Sequence, residues 1–145
     1  MRDATTIHLL LDQYSDSHRN PTNELIHFVC VPLIMFSLLG LLWWLHPAIA
    51  LVAVVASLAY YWKLSRPFAG GMLVMALVML GVLAALPPIT VLPLCIAIFV
   101  LAWIGQFIGH MIEGKKPSFF DDLRFLLIGP LFVLSFLYRR FKLAY

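Results

Sequence analysis

Apolar residues dominate the chain in long blocks, and the few polar positions fall at their ends. The first segment departs from this pattern. From Thr5 to Ser15, Ile7, Leu10, Leu11 and Tyr14 recur at the i, i+3, i+4, i+7 spacing of a one-sided helix. This predicts an amphipathic helix lying in a membrane interface. Asn20-Pro21 then reads as a helix start, with Asn20 as the cap and Pro21 at the first turn, where a missing N–H costs nothing. Leu25 to Leu45 is long enough to cross a hydrocarbon core of roughly 30 Å, and His46-Pro47 ends it. Ala48 to Trp62 and Met72 to Leu86 are shorter but uninterrupted, and they flank a polar turn of Lys63, Ser65 and Arg66, which predicts a helical hairpin. Pro87-Pro88 closes that hairpin. Val91 to Ile112 forms the next full crossing and ends at Lys115 and Lys116. A last apolar block, Leu123 to Tyr138, carries Gly129-Pro130, where a helix is expected to kink or break because proline removes a backbone hydrogen bond.

Composition places these blocks in lipid. With 63% hydrophobic and 12% charged residues in 145, and a mean hydropathy of +0.96, the chain lies far outside the soluble norm. The fold class expected is all-α: a single integral membrane domain over residues 1–145 with about four transmembrane helices. An N-terminal interfacial helix and a re-entrant or interfacial C-terminal segment complete it. Arg2, Asp3, His8 and Asp12 exclude a cleaved signal core at the start. Cys30 and Cys95 lie far apart inside apolar blocks, as buried free thiols do. The net charge of +3 sits on loops and the C-terminus without a basic stripe, which points to anionic headgroups or an acidic small molecule rather than nucleic acid.

Loop charges give the orientation. Arg2 and Arg19 precede the first span, Lys63 and Arg66 lie between the second and third, and Lys115, Lys116 and Arg124 follow the fourth. The two opposite loops carry no Lys or Arg. Positive loops stay cytoplasmic, so both termini are expected on the cytoplasmic side of a bacterial inner membrane or endoplasmic reticulum. A fifth crossing would carry Arg139, Arg140 and Lys142 to the wrong side, hence the re-entrant or interfacial reading of the last block.

This topology brings His18, His27 and His110 to one membrane face. Asn23 and His27 share a helix face, as do Gln106, His110 and Glu113. Gly105 and Gly109 make a small-residue surface for close approach of another helix. Any one of these histidines alone reads as an interfacial residue capped by an amide. Together, because ionisable groups at membrane depth are costly and face a cavity or a partner, they point to a site. Three imidazoles with a carboxylate from Glu113, Asp121 or Asp122 could hold a divalent transition metal, iron or zinc being the commonest choices. Asn20, Asn23, Gln106, Glu113 and Asp121 are expected to support the chemistry. Lys115 and Lys116 could hold an anionic headgroup or carboxylate beside it. By contrast His8, four before Asp12, reads as part of a solvated pair, and His46 lies at the opposite face. A zinc hydrolase acting on a lipid fits three histidines as well as an oxygenase does. A non-catalytic carrier or assembly protein would need polar residues along the whole depth of the bundle, whereas Val31 to Leu42 and Val91 to Ala102 are nearly all apolar.

The run His18-x-Asn20-Pro21-x-Asn23-x3-His27 with Val31-Pro32, joined by Gln106-Phe107-Ile108-Gly109-His110, Glu113 and Lys116-Pro117, resembles the 2-hydroxy fatty acid dioxygenase family of small polytopic membrane proteins. The resemblance extends from about Tyr14 to the final apolar block. It implies an iron(II)-dependent alpha-oxidation, in which a long-chain 2-hydroxy fatty acid and O2 yield the fatty acid one carbon shorter. It also implies that His18, His27 and His110 hold the metal.

Overall fold

Two helix boundaries are each set by one residue, His46 and Ser65, that ends one helix and caps the next. The structure, a computed structural model, describes residues 2–117 and 124–145, with side chains from residue 6 onward. Six helices follow one another: α1 (Arg2–Ser15), α2 (Pro21–Leu45), α3 (Pro47–Leu64), α4 (Arg66–Ala85), α5 (Pro88–Glu113) and α6 (Phe125–Arg140). The Asn20 side chain accepts from the Thr22 N–H at 2.9 Å, as its place before Pro21 predicts. His46 turns extended and ends α2, and its Nδ1 accepts from the Ala48 N–H at 3.0 Å to start α3. Ser65 does the same between α3 and α4, its hydroxyl accepting from Phe68 N–H. α5 stops at Gly114, whose φ of 75° is the left-handed conformation that glycine adopts without penalty.

Helices α2, α3, α4 and α5 are each long and apolar enough to cross a membrane. Their outward faces carry large apolar side chains with no protein against them, Val52 at 69% and Leu101 at 68% exposure among them. A contiguous apolar exterior of that kind suits hydrocarbon, not water. Hydrophobic residues surround each of these spans instead of forming one stripe, the pattern of helices immersed in lipid. α6, 16 residues and about 24 Å long, is shorter than a typical span, consistent with the expected re-entrant or interfacial segment. It runs unbroken through Pro130, contrary to the expected interruption. Burial of Ile128 through Ser135 against neighbouring helices supplies the packing that holds it in place.

The most extensive pairing is α2 with α5, and two glycines make it possible. A Cβ at Gly105 would come within 2.7 Å of Cys30 Sγ, and one at Gly109 would collide with Asn23 Oδ1. The apolar stripe of α1 has a more specific partner than lipid: Ile7, Leu10, Leu11 and Tyr14 are buried in a cluster with Tyr61, Phe68 and α6 residues such as Ile128 and Leu131. Tyr61 ties α3 to α6 by donating to Leu127 O at 2.8 Å, and Tyr138 donates to Pro67 O. The amphipathic helix is therefore folded across the end of the bundle, and this places its last turn beside the start of α2. His8 lies against Tyr145, with ring centroids 5.4 Å apart, instead of closing on Asp12.

Candidate metal centre

The α2–α5 seam brings two histidines together and the turn after α1 delivers the third. His27 sits two turns into α2 and His110 one turn before the end of α5. Their Nε2 atoms are 3.1 Å apart. His18 closes over them, its ring centroid 4.2 Å from that of His27 and 4.8 Å from that of His110, with all three rings nearly perpendicular to one another. One nitrogen from each falls within 4.8 Å of the others, and all three side chains are buried.

Hydrogen bonds fix which nitrogens face inward. His18 Nδ1 lies 2.7 Å from Tyr14 O, and His27 Nδ1 lies 2.9 Å from Asn23 O. A carbonyl only accepts, so each Nδ1 carries the proton and each Nε2 is left with its lone pair. Metal-ligating histidines show this pattern, donating the far nitrogen to a carbonyl while the near one binds. His18 Nε2 is buried without a hydrogen-bond partner, and so is His110 Nδ1. Leaving a buried polar atom unpaired costs about 1–3 kcal/mol, and a divalent transition metal held among the three imidazoles would satisfy His18 Nε2, whose donor chemistry it fits. Burial holds the His18 imidazole down, at a pKa of about 4. It is therefore neutral at physiological pH, as a ligand must be.

The supporting residues form a latch around the first turn of α2. Glu113 accepts from the backbone N–H groups of Arg19 and Asn20 at 2.9 and 2.8 Å. The Asn23 amide reaches both Glu113, at 3.2 Å, and Ser17 O, at 3.1 Å. A carboxylate over the N-terminus of a helix is favourable in itself. Here it also locks the end of α5 to the turn that presents His18. Glu113, which the sequence offered as one carboxylate that could join the metal, thus uses both oxygens on backbone and amide donors. Asn20 serves as the cap of α2, and Gln106 is buried and lines the cavity described below. Asp121 and Asp122 lie outside the described residues. Lys115 reaches back to donate to Asp16 O at 2.8 Å, and neither it nor Lys116 lines that cavity, although the adjoining Pro117 does.

Tyr14 has a part in the site that its place in an apolar stripe conceals. Its ring stacks on His18, with centroids 4.1 Å apart and planes 9° from parallel, while its carbonyl takes the Nδ1 proton. The four-residue spacing Tyr14-x3-His18 was the signal available, but it spans the end of α1, where helical geometry cannot be assumed. From the three imidazoles an apolar cavity of about 260 Å3 extends between α2, α5 and α6, walled by Val31, Ile34, Phe99 and Trp103. The arrangement can thus offer a metal at a buried polar end and a greasy channel for a long aliphatic group.

Comparison with known proteins agrees with this reading of the residues. The family described as Mpo1-like, 2-hydroxy-palmitic acid dioxygenase Mpo1-like, matches residues 4–65 and 67–141. The chain belongs to this Mpo1-like family. A Saccharomyces cerevisiae protein named 2-hydroxy-palmitic acid dioxygenase MPO1 is 33% identical over 135 residues, covering 87% of this chain and 76% of its own length. No solved structure matches the chain. Among the described residues, the Mpo1-like architecture is thus an all-helical bundle with four potential spans and a buried cluster of three histidines.

Proposed function

We propose that this Mpo1-like chain is an iron(II)-dependent dioxygenase that converts a long-chain 2-hydroxy fatty acid and O2 to the fatty acid one carbon shorter, with His18, His27 and His110 as the metal ligands. The observation that carries the proposal is the convergence of three buried imidazoles on the wall of an apolar cavity. The yeast relative's name supplies the substrate class.

The reaction balances without a further reductant: R–CH(OH)–COOH + O2 gives R–COOH + CO2 + H2O. The bond between C1 and C2 breaks. C2 rises from alcohol to carboxyl, C1 leaves as CO2, and the four electrons released are those that O2 accepts. Ferrous iron, when bound, supplies the redox partner that O2 requires and a Lewis acid for the carboxylate and 2-hydroxyl oxygens. The chain's own residues do the rest. Tyr14 and Asn23 hold two imidazoles in the tautomer that leaves Nε2 available, and Glu113 fixes the turn that carries His18. Gln106 offers an amide within the cavity, and the apolar wall excludes water from the aliphatic chain. Lys115 and Lys116, just after α5, attract the carboxylate from the membrane surface.

Electron count predicts the substrate discrimination. Shortening palmitate by one carbon in the same way would release six electrons, two more than one O2 accepts. Oxygen uptake and the fifteen-carbon product should therefore appear with 2-hydroxypalmitate and be absent with palmitate. Equal turnover of palmitate, or no uptake with either acid in iron-loaded protein, would overturn the proposal. The loop charges support a cytoplasmic position for both termini and the site. A reporter fused at Tyr145 should be active there, and activity only on the opposite side would mean that α6 crosses the membrane.

A further inference from the structure

The cavity at the histidines does not end at the helices that carry them. A second cavity of about 460 Å3 lies between α2, α3, α4 and α6, and Met35, Leu38, Leu126 and Pro130 belong to the walls of both. The two spaces thus adjoin across a single layer of side chains. Leu38 and Leu126 in that layer are 46% and 49% exposed, so neither is fixed by close packing. Beyond them the second cavity is walled by Ala53 on α3 and by Ala76 and Met79 on α4, with the Ser57 hydroxyl as its one polar side chain besides that of Tyr61.

We propose that this second cavity is the chamber for the distal part of the substrate's acyl chain, so that a long 2-hydroxy acid passes Leu38 and Pro130 and ends between α3 and α4. This inference rests on the proposed reaction for the identity of the occupant. The first cavity, at about 260 Å3, falls below the roughly 300–1,000 Å3 of small-molecule sites, and the polar head takes the part lined by the histidines. A sixteen-carbon chain outgrows it. Among the described residues the continuation is lined by apolar side chains apart from Ser57 and Tyr61, with none charged. Ala53 and Ala76 leave the space open where larger residues would fill it, and Met35 and Met79 are unbranched side chains that adapt to a flexible guest. The chamber sets the preferred length, because each methylene it buries adds to binding until its wall is met.

Two measurements on the full-length protein in lipid nanodiscs test this. The first is photo-crosslinking with 2-hydroxyhexadecanoic acid carrying a diazirine at its terminal carbon. Adducts are expected on the α3–α4 wall, at Ala76 and Met79. Adducts confined to Val31 and Phe99, or to the outward residues Val52 and Val74, would overturn the chamber. Crosslinking needs no turnover, so adducts in the chamber without oxygen uptake would uphold the chamber and sink the dioxygenase reading. Turnover without such adducts would do the reverse. The second is the kcat/KM ratio across chain lengths. Ala76→Phe should lower the sixteen-carbon to ten-carbon ratio at least tenfold. Met79→Ala should shift preference the other way, toward twenty carbons, a change that misfolding cannot mimic. Unchanged ratios in both variants would overturn the proposal.

Discussion

Alanine at His18, His27 or His110 should abolish oxygen uptake and strip bound metal, while alanine at His8 should leave both in place. The expected loss exceeds about a hundredfold, the upper end of what removing a mere supporting partner of a metal ligand costs. The reason lies in the geometry. The three rings are mutually perpendicular and within 4.8 Å through their nitrogens, so each contributes a donor that no neighbour can replace. His8 instead lies against Tyr145. His46 makes an informative second control because it caps α3 through Nδ1. His46→Ala should cost about 1 kcal/mol of stability without changing metal content, and His46→Asn should restore the cap. Activity and metal would be followed together with helical content by circular dichroism. Full metal content in His110→Ala would mean that the cluster is not a metal site.

Gly109→Val should cost about as much activity without touching a histidine. A Cβ at position 109 would strike Asn23 Oδ1 and come within 3.4 Å of Ile26 Cγ2. A flexible side chain would simply move aside, but the Asn23 amide is held by Ser17 O and Glu113. The Asn23 carbonyl also anchors His27. The helices must therefore separate or the latch must open, and either displaces His27 from His110. Overpacking of this kind typically costs about 1–3 kcal/mol, and the loss of alignment should lower oxygen uptake by about a hundredfold. Gly81→Val is the matched control, since nothing lies within 4 Å of its Cβ position. If both variants behave like the parent, the close α2–α5 approach does not position the site.

Most helix boundaries were legible because they rest on local chemistry, although α4 starts at Arg66, six residues before the apolar block that begins at Met72. Asn20-Pro21, His46-Pro47 and Pro87-Pro88 each stop or start a helix through a cap or a missing N–H, and no distant contact is needed to read them. The small-residue faces of Gly105 and Gly109 likewise announced a close helix pair, and the partner proved to be α2. The motifs around His18, His27 and His110 are enough to point to the family that the comparisons show. What stayed hidden depends on contacts across the chain. The oxygens of Glu113 meet Arg19, Asn20 and Asn23, some ninety residues away, and nothing in its neighbourhood says that it clamps backbone instead of joining a metal. The stripe of α1 reads in sequence as a face for the membrane interface, whereas in the fold it packs against protein. Only the position of α6 makes it a lid that stacks Tyr14 on His18. Gly129-Pro130 reads in sequence as a helix breaker. In the fold it is a wall of the cavity within a continuous helix.

The central claim is tested most directly by metal analysis of the wild-type protein purified without air, followed by admission of O2 and 2-hydroxypalmitate to the same sample. The account predicts iron bound close to stoichiometrically with the chain, and O2 consumed in equal amount to the fifteen-carbon acid formed. Folded protein that binds zinc in place of iron, and turns over a lipid without consuming O2, would contradict it.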